Sequence, residues 1–111
     1  MNHEEIMRRL DIDGWCVLEG VIPRDEVDGV REAVLAEEAR QREEQDALVA
    51  TIRSRGHRIS ASGVGGVRGL VSAIPEVTSY MADERIIAAA ETLFGPYFRV
   101  STVGGLVNRP G

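Results

Sequence analysis

The run FRVSTVGGLVNRPG, residues 98–111, constrains the fold more than any other part of the sequence. Valine, threonine and phenylalanine favour strands, whereas the closing Asn-Arg-Pro-Gly is typical of a turn. The run therefore predicts a strand that begins near Tyr97, extends to Val107 and is followed by a turn. A strand needs partners in a sheet, because its N–H and C=O groups are otherwise unpaired. We expect a mixed α+β fold.

Most of the remaining sequence predicts helices. Residues 3–10, HEEIMRRL, place apolar residues at helical spacing, with acids first and arginines last. Pro23, which precedes three charged residues, marks the start of a long second helix. The polar stretch 37–46 lies within this helix and is expected to be solvated on all sides. Pro75 and Asp83 begin two further helices, and Gly-Pro ends the second of them.

Hydrophobic patterns predict which parts of these elements are buried. Trp15-Cys16-Val17-Leu18 is a short apolar run typical of a strand. The last two helices should bury one apolar stripe each, formed by Val77, Tyr80 and Met81 in the first and by Ile86, Ile87, Ala90, Leu93 and Phe94 in the second. Residues 54–69 contain five glycines and three serines, which predicts a long loop. Loops longer than about 12 residues in a compact domain are usually functional or mobile.

Composition excludes several classes of function. The 111 residues suit one domain, and the net charge of −5 argues against a surface that binds nucleic acid. All 13 basic residues are arginines, so Schiff-base chemistry and a lysine-based phosphate loop are excluded. There is one cysteine, and we find neither a signal peptide nor a membrane-spanning stretch. We expect a cytoplasmic protein that contacts no membrane.

No local motif predicts a catalytic site. The glycines of residues 63–69 resemble a dinucleotide-binding loop, but Arg68 stands where the third glycine is needed. His3 lies near the chain terminus and His57 within the glycine-rich loop, and neither has an evident set of further metal ligands around it. The serines lack the motif of a nucleophile elbow. From the residues alone we predict no catalytic residue and no metal ligand.

Three stretches resemble the N-terminal portion of the phytanoyl-CoA dioxygenase family of Fe(II)- and 2-oxoglutarate-dependent oxygenases. They are DGWCVLEGVIPRDEVDGVREAV (13–34), GLVSAIPEVTSYMADERIIAAAETLFGP (69–96) and FRVSTVGGLVNRPG (98–111). The polar helix and loop at about 36–66 do not share in the resemblance. It implies that residues 1–111 form a single, incomplete domain: the N-terminal helices and first strands of a double-stranded β-helix, a cupin-like jelly roll.

The resemblance also implies a cofactor set. In the family, a His-x-Asp pair follows the Asn-x-Pro-Gly turn, and a later strand supplies a second His, so that three side chains hold iron beside 2-oxoglutarate. Neither His3 nor His57 occupies such a position. We therefore expect residues 1–111 to lack the iron ligands, to bind no cofactor alone and to be inactive alone, whereas the complete enzyme would hydroxylate a small organic substrate.

Three residues are candidates for binding by the same resemblance. Alternation along the strand places Phe98 and Thr102 on one face and Arg99 and Ser101 on the other, and one face should line the active-site cavity. Thr102 and Asn108 are the candidates for contact with the cosubstrate. Arg68 is the candidate for an anionic group of the substrate. A strand hydroxyl, a turn-forming residue and a solvated arginine are the respective alternatives.

Two further interpretations remain open at this point. The chain could be a small, non-catalytic binding or regulatory module that recruits a partner through an open strand edge. It could also be a decayed gene product without activity. Whether the chain is part of an oxygenase or a binding module, we expect the exposed C-terminal strand to favour self-association. A His-x-Asp pair encoded downstream would favour the oxygenase.

Overall fold

The structure, a computed structural model, describes residues 1–59 and 65–108. It contains five helices and two short strands within these ranges: α1 (His3–Asp13), α2 (Val27–Ser54), β1 (Gly65–Val67), α3 (Leu70–Ala73), α4 (Glu76–Met81), α5 (Glu84–Phe94) and β2 (Gly105–Val107). The strands pair antiparallel, with Gly66 opposite Leu106. The α+β class predicted from the sequence is confirmed. No helix in the described part is long and apolar enough to cross a membrane.

Helix α1 packs antiparallel against α5. The Asn2 side chain caps α1 by accepting a hydrogen bond from the first turn, and Gly14 ends the helix with φ of 77°. Ile6 is buried, and α1 contacts α5. His3 Nε2 lies 3.1 Å from Thr92 Oγ1, which brings the start of α1 to the end of α5. The predicted first helix is confirmed and extends to Asp13.

Helix α2 is the scaffold of the molecule. Its 28 residues span about 42 Å at 1.5 Å per residue. It begins at Val27 rather than at Pro23, because the residues after Pro23 form a turn that is closed by a Glu26 N–H bond to Pro23 O. The two-stranded ribbon packs on α2, where Val49 is buried and Val67 of β1 is only 1% exposed.

The polar middle of α2 is helical as predicted, but the prediction that it is solvated on all sides is wrong. Glu38 is only 1% exposed and accepts a hydrogen bond from Arg42 one turn later. Gln41 is half-buried. The contact with β1 covers this side of the helix, and hydrogen bonding compensates the burial of its polar groups. Arg40 and Glu44 remain on the outer side, where Arg40 forms ion pairs with Glu44 and with the half-buried Glu37.

Helices α4 and α5 begin where the sequence predicts. Asp83 caps α5 by accepting a hydrogen bond of 2.9 Å from the Arg85 N–H. Val77 of α4 is buried, and the other predicted inward residues of α4 are half-buried. The predicted stripe of α5 fails at its end, because Leu93 and Phe94 are 53% and 74% exposed. Helical spacing identifies the apolar face of a helix, but it does not show whether another element packs on that face.

Of the two predicted strands, one is absent and the other is shorter than predicted. Residues 15–18 form no strand, and Trp15 is 66% exposed, because no described segment pairs with this run. Of the strand predicted from residue 97, only 105–107 pairs with β1, and before it the Leu70 N–H donates to Val103 O at 3.2 Å. The predicted 54–69 loop contains β1, and its residues 60–64 lie outside the described residues.

The close approach of the two chain segments explains why residue 104 is a glycine. A Cβ added to Gly104 would lie 3.3 Å from the Val67 carbonyl oxygen, which is tighter than an ordinary van der Waals contact. The sequence predicts a bulge or a close backbone approach at Gly104-Gly105, and the structure has the close approach.

Candidate ligand-binding cleft

An open cleft of about 580 Å³ lies between the short helices and the chain segment that leads into β2. Helices α3 to α5 and the segment before β2 supply its apolar lining, which consists of Val71, Met81, Ala82, Ile87, Val100 and Val103. Ligand pockets for small molecules commonly have volumes of about 300–1,000 Å³ and mostly apolar linings. The cleft, hereafter the α3–α5 cleft, therefore has the size and lining of such a pocket.

Thr102 lies in this cleft. All four residues of the segment 100–103 line it, together with the hydroxyl-bearing Thr78 of α4. The prediction that strand alternation would turn only one side of this segment toward a cavity is wrong, because the segment precedes β2 and is not itself a strand. Thr78, Ser101 and Thr102 are the lining residues that carry hydroxyl groups, and the other side chains of the lining are apolar.

The other two candidate residues lie outside the lining. Asn108 is exposed, follows β2 directly and is not among the residues that line the α3–α5 cleft. Arg68 is exposed and precedes Gly69, which lines the cleft and begins α3 with φ of 63°. Of the three candidates, the structure thus places only Thr102 in the cleft lining, while Arg68 directly precedes a lining residue and Asn108 lies at the far end of β2.

Gln41 of α2 holds the backbone of Arg68. Its side-chain oxygen accepts a 2.9 Å hydrogen bond from the Arg68 N–H, and its Nε2 donates to Arg68 O at 2.8 Å. The same Nε2 donates to Glu37 Oε1 at 2.8 Å, which fixes the orientation of the amide. The sequence does not predict this contact. The one indication in the sequence is weak: Gln41 lies four residues after Glu37, so the two side chains can interact on a helix face whose other residues are polar.

Glu37 also belongs to a cluster of charged side chains along α2. Arg40 contacts Glu37 at 2.6 Å and Glu44 at 2.5 Å. Hydrogen bonds from Arg40 and then from Gln41 lower the pKa of Glu37 to about 2. Glu37 is therefore ionised at neutral pH and accepts hydrogen bonds only, as its contact with the Gln41 amide requires.

A second, smaller cavity of about 420 Å³ lies between the start of α2 and α4. The Tyr80 hydroxyl donates a hydrogen bond to Glu26 at its edge. This bond, followed by burial and the charges of Glu26, Glu76 and Asp25, raises the pKa of Tyr80 to about 12. The phenol thus remains protonated at neutral pH and links α4 to α2.

The described residues do not fit an iron site. Within residues 1–59 and 65–108, no group of three or more His, Cys, Asp or Glu side chains is placed to hold a metal ion. His3 is at the start of α1 beside Thr92, whereas His57 follows the end of α2 and lines a separate surface pocket with Arg53. The two imidazoles are therefore not parts of one site.

Comparisons with known proteins do not assign the chain to a family. No protein-family model matches it, and neither a curated protein nor a solved structure is significantly similar to it. The arrangement can nevertheless be described chemically. The α3–α5 cleft offers a mostly apolar lining with hydroxyl-bearing residues, and Arg68, whose backbone Gln41 holds, directly precedes the lining residue Gly69.

Proposed function

We propose that these 111 residues form the N-terminal part of a phytanoyl-CoA dioxygenase-like, Fe(II)- and 2-oxoglutarate-dependent oxygenase. In this proposal they contribute the outer helices and first strands of a jelly-roll domain that acts in the cytoplasm. The iron ligands belong to sequence other than the described residues, because those residues do not fit the metal. The complete enzyme would hydroxylate a small organic molecule.

The α3–α5 cleft is the observation that supports this proposal best. The segment 98–108, which belongs to the stretch that resembles the family's strand leading toward the metal, lines an open apolar cleft with its residues 100–103. Only its last residues pair in a sheet, with β1 alone. A segment that lines a cavity and pairs with only one strand among the described residues is compatible with the early part of an active-site barrel.

Proposed roles follow from position. Thr102 would contact the cosubstrate or substrate through its hydroxyl group in the cleft, and Arg68 would meet an anionic group of the substrate at the opening. Asn108 would contact the cosubstrate only if further strands extended the cavity past β2, since it lies outside the present lining. In this arrangement the chain's own residues exclude water and orient the substrate, while the iron, when bound, would supply the oxygen chemistry.

The coding sequence beyond the Gly111 codon tests the proposal. We expect a His-x-Asp pair within about twenty codons, as a facial triad needs this pair and a second histidine. A protein that includes this extension should convert 2-oxoglutarate to succinate with added iron and ascorbate, whereas the 111-residue chain should not. Turnover by the 111-residue chain, or a downstream frame without these ligands, would contradict the proposal.

A second function is favoured by the open ribbon. The sheet has two strands in the described part, and Leu106 of β2 is 76% exposed. We propose as the alternative that the chain is a non-catalytic module that adds a partner strand along β2, either from another protein or from a second copy. Sedimentation of wild type and a Leu106→Pro variant tests self-association, because proline removes a backbone donor and should shift oligomers to monomers.

A further inference from the structure

We propose that the α3–α5 cleft binds an apolar small molecule that carries one anionic group, and that Arg68 and Arg99 recognise this group. The inference goes beyond the proposed function, because it needs no iron, no 2-oxoglutarate and no residue outside those described. It concerns binding by the chain as it stands.

The lining restricts the body of the ligand. Among the described residues that line the cleft none is charged, and most are aliphatic, such as Val71, Met81 and Ile87. Burial of apolar area contributes about 25 cal/mol per Å², so an apolar body gains most from this surface. A fully polar ligand would lose its hydration without replacing it, because the hydroxyl groups of Thr78, Ser101 and Thr102 are the main polar side-chain groups in the lining.

The charges beside the cleft restrict the head group. Arg68 precedes Gly69 and Arg99 precedes Val100, and Gly69 and Val100 both line the cleft. A neighbouring Cα lies about 3.8 Å away, so two long cationic side chains start at the cleft's border. Both arginines are exposed, and within the described residues neither side chain forms an ion pair or hydrogen bond.

Arg68 and Arg99 are distinguished by their position in the chain next to lining residues, since other arginines, such as Arg8 and Arg31, also form no ion pair in the described part. The arginines that do form ion pairs in the described part are Arg9, Arg40, Arg42 and Arg85. The chain as a whole has a net charge of −5. Two unpaired guanidinium groups next to an uncharged, apolar cleft are therefore complementary to an anion, and guanidinium suits a carboxylate or phosphate in particular.

Gln41 acts as a positioning residue for Arg68. It binds both backbone groups of Arg68 and is itself bonded to Glu37. The backbone from which the Arg68 side chain projects is thus fixed to α2 before any ligand arrives. Preorganisation of this kind strengthens binding because less ordering is required on association.

A matched pair of probes tests the proposal on the 111-residue chain. Isothermal titration calorimetry would compare 4-phenylbutyrate with 4-phenylbutan-1-ol, which has the same apolar body without the charge. We expect the carboxylate to bind about tenfold more tightly or better, since hydrogen bonds to charged groups contribute about 1.5–3 kcal/mol. Amide and methyl shifts in NMR spectra should map both probes to Val71, Met81 and Ile87.

Variants assign the effect to the two arginines. Arg68→Gln combined with Arg99→Gln should reduce carboxylate binding to the level of the alcohol and leave alcohol binding unchanged. Arg8→Gln, the same substitution at an exposed site on α1, should change neither. Val71→Asp places a carboxylate in the lining and should abolish carboxylate binding. Circular dichroism would verify that each variant keeps its helices.

Several results would overturn the proposal. They are equal affinity for the two probes, the same loss in Arg8→Gln as in the double variant, and shifts that fall outside the cleft. Absence of any carboxylate binding by a folded chain would also overturn it. None of these results bears on the oxygenase proposal, which the extended protein and its 2-oxoglutarate turnover decide.

Discussion

The hydrogen bonds between Gln41 and Arg68 should be measurable in the stability of the chain. Gln41→Ala removes the two bonds to the Arg68 backbone, of 2.9 and 2.8 Å, and the bond to Glu37. A hydrogen bond contributes about 0.5–1.5 kcal/mol net, and the two to Arg68 lie at the lower end because Arg68 is exposed and water can replace them. Loss of the third bond matters less, since Glu37 keeps its bonds to Arg40.

Gln45→Ala is the matched control for this substitution. Gln45 lies one turn further along α2, is exposed and forms no side-chain hydrogen bond within the described residues. Both substitutions gain the same small helix propensity, so their difference isolates the contact. We expect Gln41→Ala to be less stable than Gln45→Ala by about 1–2 kcal/mol.

Urea unfolding followed by circular dichroism measures this difference. With m-values of about 1–3 kcal/mol per M, the midpoint of Gln41→Ala should be roughly 0.5–1 M lower than that of the control. Hydrogen exchange should show faster exchange of the Arg68 amide in Gln41→Ala alone. Equal midpoints for the two variants, with unchanged exchange at Arg68, would refute the inferred anchoring of β1 to α2.

Two further predictions concern backbone space and pH. Gly104→Ala should destabilise the chain by about 1 kcal/mol, because the added Cβ would press on a carbonyl oxygen of β1. Gly29→Ala should stabilise the chain by about as much, because alanine has the higher helix propensity in α2. Urea midpoints that shift in the same direction for both variants would contradict this. The pKa of Asp83 is lowered to about 2 by hydrogen bonds from Arg85, so its ionised form stabilises the fold above its unfolded pKa of about 4, and this contribution is lost as pH falls toward 2. Asp83→Asn keeps a capping side chain but loses the charge, so wild type should have the higher urea midpoint at pH 5–7. The difference between the two midpoints should disappear between about pH 4 and 2. A difference that does not change with pH would exclude this ion pair as its source.

Local signals in the sequence were sufficient for the helices. The capping residues Asp83 and Gly95 act within one turn, so they predict the ends of α5 without knowledge of the rest of the fold. The same holds for the polar residues 37–46, which form helix because their propensities and side-chain pairs are local.

Non-local features could not be predicted in this way. A strand exists only where a second segment pairs with it, and the runs at 15–18 and 98–104 lack such a segment among the described residues. The burial of Glu38 follows from the ribbon that packs on α2, which the local pattern does not reveal. The α3–α5 cleft likewise joins Thr102 to Val71 and Ile87, 31 and 15 positions earlier in the chain, and of its lining residues only Thr102 was selected from the sequence.

The contact between Gln41 and Arg68 also decides where the ribbon can grow. An incoming strand needs free N–H and C=O groups along the edge to which it adds. At Arg68 both groups are already taken by a side chain from the helix, so β1 is sealed at the end from which α3 departs. Proteins often protect sheet edges with lysine or proline, and this chain, which has no lysine, uses a glutamine amide from a neighbouring helix.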